Sequence, residues 1–357
     1  MTRILGIETS CDETSAAVLR GSGDDATLES LVILSQDVHR IFGGVVPEIA
    51  SRAHLTAIVP VVERALAEAS TTLRGIDAVA VTNTPGLVGA LLVGVSFGKS
   101  VAFARGVPLV GVHHMEGHLF ATALDHAEAV PPFTALLVSG GHTLLLDVEA
   151  WGRYRMLGST RDDAAGEAFD KVAKLLGLPY PGGRHVEALA KEAVGSEFRF
   201  SRPMTRRDQR LGDADFFDMS FSGLKTAVLH AVRDARLLNP PEHGADPQRA
   251  LRASIAAAFQ DALVDTLAEK TYRAAQIFGR TRVVLGGGVA CNRTLAARVS
   301  ERVTPLGALV YAPSPRLATD NAAMIARAGL FRLERGDIAA LDLNAYASLP
   351  LPGLVAA

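Results

Sequence analysis

Apolar runs alternate with dense polar turns at the start of the chain, and the same design returns further along. In ILGIETSCDETSAAVL, Ile4, Leu5 and Ile7 precede the turn and residues 16–19 follow it, which predicts strand, tight turn, strand. The turn carries Thr9, Ser10, Asp12, Glu13, Thr14 and Ser15, more side-chain oxygens than a simple reversal requires. TALLVSGGHTLLLDVE repeats the shape, with a strand over 135–138, the turn Ser139-Gly140-Gly141-His142, and a second strand over 143–148. Two hairpins of one design predict two related lobes.

Longer periods fill the space between. AVAVTNTPGLVGALLVGVSFGKSVAFARGVPLVGV reads strand, Pro-Gly loop, helix, strand, and RVVLGGGVACNRTLAARVSERV reads strand, glycine loop, helix. Both are βα units of an open α/β fold, in which ligands sit where loops leave strand ends. RDDAAGEAFDKVAKLLGL predicts a helix closed by Gly177, and LRASIAAAFQDALVDTLAEKTYRAAQIF a long one. DARLLNPPEHGADPQR, around Pro240, reads as an insertion, and the proline-broken tail receives no role.

Composition narrows the function classes. The 357 residues suggest about two domains. Lys plus Arg is 36 against 38 for Asp plus Glu, a net charge of −2, which excludes a polybasic tail but leaves room for a local basic patch. Hydrophobic residues at 48% with 21% charged describe a well-cored chain and exclude wholesale disorder. Cys11 and Cys291 are too few for a disulfide framework or a cysteine-rich zinc site. MTRILGI is too short an apolar start for a signal peptide. Gly, Ser, Lys or Arg interrupts every run before the ~18 residues of a membrane span. No membrane association is expected, and a reducing, cytoplasmic setting is.

Four stretches carry candidate chemistry. Gly140-Gly141 and Gly286-Gly287-Gly288 each follow an apolar strand, where missing Cβ atoms admit phosphate oxygens or a flat purine. GVSFGKS resembles a P-loop, but Val93 stands where its first glycine is required, so that reading fails. In HHMEGH, His114 and His118 fall at i and i+4, the helical spacing at which two imidazoles share a metal. Met115 occupies the position a zinc peptidase gives to glutamate, and Glu116 is one place too far. A third ligand is wanted, and Asp320 in LATDNAAMIARAGLF is a candidate, against the alternative that Thr319 or Asp320 caps a helix. FRFSRPMTRRDQR brings Arg199, Arg202, Arg206, Arg207 and Arg210 together, either as an RNA-phosphate contact or as a solvated loop.

Together these stretches resemble the universal tRNA threonylcarbamoyladenosine transferase family, once labelled O-sialoglycoprotein endopeptidase. The motifs are GIETSCDETSAAV, GGVVPEIASRAH, PGLVGALLVG, GVHHMEGH, LLVSGGHT, DDAAGEAFDKVAKLLGLPYPGG, SFSGLKTAV, GGGVACNRTL and TDNAAMIA, in that order. The resemblance implies an α/β fold of the actin-like ATPase type, with two RNase H-like lobes around a nucleotide cleft. The expected lobes are 1–132 and 133–318, followed by a helix over 319–345 returning to the N-terminal lobe and a tail over 346–357. It implies transfer of a threonylcarbamoyl group from its adenylate, threonylcarbamoyl-AMP, to the exocyclic amine of the adenosine 3′ of the anticodon. The tRNAs concerned read codons beginning with A.

The same resemblance places metal ligands on His114, His118 and Asp320, for Fe²⁺ or Zn²⁺. It places adenylate contacts on Leu137, Val138, Ser139, Gly140, Gly141, Asp170, Gly183 and Asn292. Asp320 is expected to reach the histidines from the other lobe, so that a shared metal would bridge the cleft. Glu13 is a candidate for assisting proton removal from the amine. The implied partners are tRNA, an inactive paralogue of the same fold and a small P-loop ATPase. Departures from the family pattern are Asn83-Thr84 before Pro85, Met219 before SFSG, the insertion near Pro240 and the tail after Leu349. A small-molecule kinase of the same fold, a metallopeptidase and a nucleotide-gated binding module are the competing readings. The first and third have no use for the histidine pair, and the second lacks its glutamate.

Overall fold

β1 (Thr2–Glu8) and β2 (Glu13–Ser22) pair antiparallel with Glu8 opposite Ser15, so the turn is shorter than expected: residues 9–12 form it, and Glu13, Thr14 and Ser15 already lie on β2. The computed structural model describes residues 1–195, 197–206, 208–237 and 246–355. After β3 (Asp25–Ser35) come α1 (Pro47–Glu68), β4 (Ala78–Thr84), α2 (Val88–Arg105), β5 (Leu109–His113) and α3 (His114–Asp125). The second hairpin is β6 (Phe133–Val138) with β7 (Thr143–Ala150), then β8 (Arg153–Ser159), α4 (Ala165–Leu175), α5 (Gly183–Ala190), α6 (Ser222–Asp234) and α7 (Arg249–Ile277). β9 (Arg282–Gly286), α8 (Arg293–Val303), β10 (Leu309–Tyr311), α9 (Pro315–Ala318) and α10 (Ala322–Glu334) complete the series. The insertion near Pro240 lies outside the described residues.

The duplication read from the hairpins holds at the level of topology. One sheet runs β3-β2-β1-β4-β5 and the other β8-β7-β6-β9-β10. In each, the first three strands in sequence pair antiparallel and the last two join parallel to the hairpin's first strand. Parallel joins need crossover helices, which α1–α2 and α4–α8 supply.

The chain divides into two units. The first comprises Met1–Val130 and Pro313–Leu354, and the second is built on Pro131–Ala312. In the first, Leu5, Ile7, Ala16 and Val18 pack on Ile58 and Val62 of α1 and Leu91 and Val95 of α2. α2 is, by length and composition, apolar enough to cross a membrane. It also contains GVSFGKS, mid-helix rather than in a phosphate loop, and its Gly98 lies so close to the sheet that a Cβ would sit 2.3 Å from Val81 Cγ1.

α10 covers the opposite face of the first sheet at equally short range. A Cβ on Gly6 would lie 2.3 Å from the Ala322 carbonyl oxygen, and one on Gly329 would lie 2.4 Å from Ala80 Cβ. These contacts, at the start and the middle of the helix, set its height above β1 and β4, and with it the position of Asp320. In the second unit α7 is buried along most of its length, with Phe259, Leu263 and Leu267 packed among Leu136, Phe169 and Leu285.

Candidate metal centre and nucleotide loops

β5 ends at His113, and the chain turns at once into α3. His113 is the cap: its Nδ1 accepts from the Met115 N–H at 3.2 Å. The next residue, His114, opens the helix, and His118 follows one turn later on the same face, their rings 4.7 Å apart and edge to face. Asp320 Oδ1 lies 3.3 Å from Nε2 of each histidine. It does not cap α10. That role belongs to Asn321, whose Oδ1 accepts from the Met324 N–H at 3.1 Å. Asp320 belongs to the first unit, as His114 and His118 do, so the expected bridge between lobes is corrected: all three ligand candidates sit in one unit. The chain re-enters the first unit at Pro313, before Asp320, so this residue goes with the helix expected over 319–345 and not with the opposite lobe.

The residues present fit a divalent cation. His118 is wholly buried, and neither of its ring nitrogens makes a hydrogen bond to the described residues. Two ligands bound at ~2.0–2.1 Å in a tetrahedral shell stand ~3.3 Å apart, the separation found from each Nε2 to Asp320 Oδ1. Two imidazoles and one carboxylate suit Fe²⁺ or Zn²⁺ and leave coordination positions open.

The electrostatics are those of a buried charge cluster. Burial alone would raise the Asp320 carboxyl, but the two histidines outweigh it and hold it far below the usual carboxylate range. Burial opposes charge on His114, yet Asp320 and Glu8 push it well above an ordinary imidazole. His118 is lowered by its burial. Burial, then the charges of Asp320 and Asp12, pushes Glu13 well above the ordinary carboxyl value. Burial pushes both thiols upward, helped by Asp12 at Cys11 and Glu187 at Cys291, so neither offers a thiolate nucleophile.

In the second unit, β6 carries Leu137 and Val138 to its end, and Ser139-Gly140-Gly141 follow. A Cβ on Gly140 or Gly141 would meet nothing within 4 Å, so this loop is open. Gly287, at φ 84°, closes on the same strand: a Cβ there would stand 2.4 Å from the Val138 carbonyl oxygen. Both glycine loops therefore lie in one unit, at the ends of the adjacent parallel strands β6 and β9. Asp170 Oδ1 accepts from the Gly182 N–H at 2.6 Å and so fixes the loop that leads into Gly183, the first residue of α5. Asn292 caps α8 through Oδ1 to the Leu295 N–H, and its Nδ2 donates to Gln260 Oε1 at 2.9 Å.

Residues 27–327 match the family model described as TsaD: tRNA N6-adenosine threonylcarbamoyltransferase. The chain belongs to that family. A protein of that name from Gemmatimonas aurantiaca is 64% identical over 357 residues, 99% of this chain and 98% of the relative. Another, from Anaeromyxobacter dehalogenans, is 50% identical over 346 residues, 97% of this chain and 98% of the relative. Component A of the (R)-2-hydroxyglutaryl-CoA dehydratase of Acidaminococcus fermentans matches with TM-score 0.52 at 15% identity, covering 94% of this chain and 99% of that one. HypF of T. kodakarensis matches with TM-score 0.59 at 14% identity, covering 94% of this chain and 48% of that one. These two likenesses show the fold alone, an α/β fold of the actin-like ATPase type. Membership in the family makes the protein a transferase of tRNA threonylcarbamoylation.

Two of the expected departures, Asn83 and the tail, gain a structural account. Asn83 Nδ2 donates to the Asn344 carbonyl at 3.3 Å, and its own carbonyl accepts from the Tyr346 N–H at 2.9 Å. The Gly86 N–H donates to the Ala347 carbonyl, and His113 Nε2 lies 3.2 Å from the Leu349 carbonyl. Asn83 and the tail are thus one feature, in which the C-terminal strap is tied beside β4 and onto the cap of α3.

The arginine stretch divides. Arg202 is committed to Asp265 at 2.7 Å, whereas Arg199, Arg206 and Arg210 are exposed; Arg207 lies outside the described residues. Sequence reasoning passed over Glu8, a wholly buried carboxylate within reach of His114. The available signal was an acid closing an otherwise apolar strand.

Proposed function

We propose that this chain transfers the threonylcarbamoyl group of threonylcarbamoyl-AMP to the exocyclic amine of the adenosine 3′ of the anticodon. The tRNAs are those reading ANN codons, and AMP is released. The observation that carries the reading is the ligand trio of His114, His118 and Asp320 with the orphaned ring nitrogens of His118, in a chain of this family. His114, His118 and Asp320 would hold one Fe²⁺ or Zn²⁺. The chemistry a bound cation supplies there is polarisation of the carbamoyl carbonyl.

The acyl carbon arrives already activated by its adenylate leaving group, so no nucleophilic Ser or Cys is needed. The raised thiols agree with that. What the protein contributes is position and charge stabilisation. Leu137, Val138 and Ser139-Gly140-Gly141 offer open backbone to the adenylate, Asp170 and Gly183 a loop of fixed shape, and Asn292 a helix start. Glu13 is read as the group that takes the amine proton. The target adenosine lies in a loop, so presenting it costs less than flipping a base out of a duplex. With a net charge of −2, the chain is read as needing an inactive paralogue of its own fold and a small P-loop ATPase to complete the tRNA site. A cytoplasmic setting belongs to the same reading.

The test supplies threonylcarbamoyl-AMP and unmodified tRNA to the purified protein with those two partners, then digests the tRNA for nucleoside mass spectrometry. Threonylcarbamoyladenosine confined to ANN-reading tRNAs supports the proposal. Its absence with active partners, or its formation on other tRNAs, overturns it.

A further inference from the structure

Glu8 closes β1 and is wholly buried, a costly place for a carboxylate unless its oxygens are met by donors. They are. Oε1 accepts from the Ser10 N–H at 2.5 Å, and Oε2 accepts from Thr82 Oγ1 at 2.6 Å. Thr82 is on β4, the strand parallel to β1, so the sheet itself brings that hydroxyl alongside. Oε2 also lies 3.0 Å from His114 Nδ1, and Ser10 Oγ is 3.2 Å from the same nitrogen.

An ionised carboxylate only accepts hydrogen bonds, so the Nδ1 facing it carries the proton. In the neutral ring that a metal ligand must be, the lone pair of His114 is then on Nε2, the atom facing Asp320. The Ser10 and Thr82 bonds stop the carboxylate from rotating, and the carboxylate in turn stops the imidazole. His118 has no such support, since its Nδ1 is unpartnered among the described residues. The two histidines are therefore unequal: both face Asp320 through Nε2, but His114 alone is also gripped at Nδ1.

We propose that Glu8 is a positioning residue for the metal centre, fixing the tautomer and ring orientation of His114 through Nδ1 so that Nε2 is presented as a ligand. This rests on reading His114, His118 and Asp320 as metal ligands, and the experiment separates the two claims. Metal-stripped full-length protein is titrated with Co²⁺ or Zn²⁺ alone against a competing chelator, for wild type, Glu8→Gln, Glu8→Ala and His118→Ala. Loss of such an outer partner weakens binding about 10–100-fold, which is expected for Glu8→Ala. A smaller loss is expected for Glu8→Gln, whose carbonyl can still accept from Nδ1 while its amide faces one of the other donors. ¹⁵N spectra of the Zn²⁺-loaded wild type should show the His114 proton on Nδ1.

Wild-type affinity in a folded Glu8→Ala or Glu8→Gln protein, alongside weak binding by His118→Ala, overturns the role of Glu8 and leaves the metal site standing. Unchanged binding by His118→Ala overturns the metal site itself. Should neither Glu8 variant fold, the wild-type spectrum decides: a proton on Nε2 refutes the proposal.

Discussion

Asp320 and Asn321 are neighbours in sequence with separate tasks: Asn321 caps α10, while Asp320 points its carboxylate at both histidines, 3.3 Å from each Nε2. The two effects that a single aspartate at a helix start would have confounded are therefore separable by mutation. Asp320→Ala should abolish metal retention with thermal stability within ~1 kcal/mol of wild type, because the cap survives. Asn321→Ala should cost about 1–2 kcal/mol and keep most of the metal, since it removes the cap and leaves all three ligands. Elemental analysis beside thermal unfolding distinguishes them. Full metal content in Asp320→Ala would sink the site.

The approach of α10 to β1 gives a second handle. A methyl group at Gly6 has nowhere to go but into the Ala322 carbonyl. Gly6→Ala should cost about 1–3 kcal/mol as an overpacked contact, and should weaken metal binding because Asp320 rides on the displaced segment. Unchanged metal affinity in a destabilised Gly6→Ala protein would show that Asp320 is positioned from elsewhere.

For the adenylate, Asp170 is the informative residue. Its bond to the Gly182 N–H holds the Gly183 loop, so Asp170→Ala should weaken AMP binding measured by calorimetry. Asp170→Asn keeps an acceptor for that N–H and should recover part of the loss. Equal AMP affinity in all three proteins removes Asp170 from the site.

On the basic stretch, Arg206→Ala and Arg210→Ala should each weaken tRNA binding in the assembled complex and reduce the salt dependence by about one phosphate contact. Arg202→Ala should instead show its effect in unfolding, because its guanidinium is engaged by Asp265. A salt slope that does not change in either exposed variant assigns this stretch to solvent.

His54 supplies a pH prediction. It accepts from Thr14 Oγ1 at Nδ1 and donates to the Cys11 carbonyl from Nε2, holding the oxygen-rich turn. Burial lowers its pKa below 6.5, outweighing the bond to Cys11. The unfolded chain thus binds a proton that the native state refuses, so its contribution is full above about pH 6.5 and is lost as pH falls toward the native value. Unfolding curves of wild type and His54→Gln should converge as the buffer is acidified. A constant gap from pH 7.5 to 5 would contradict this.

How much of this could be read in advance follows from the range of each interaction. The two hairpins and their βα units were legible because apolar period and turn chemistry are local. His114 and His118 were legible because helical spacing alone puts them on one face. Glu8 was not, since its partners Thr82 and His114 lie in other strands and helices of the sheet. Nor was the division of labour between Asp320 and Asn321, which depends on which of two adjacent side chains turns inward. The tail was opaque for the same reason: Asn83, Asn344 and Leu349 explain one another only once they are side by side.

The first unit is discontinuous, and synthesis runs in one direction. When His114 and His118 leave the ribosome, Asp320 and the strap that reaches the His113 cap have yet to be made, and the whole second unit comes first. At ~5–20 residues per second, that interval lasts roughly 10–40 s. Throughout it the nascent chain holds the two imidazoles without Asp320, so the three candidate ligands come together only after the second unit has been made.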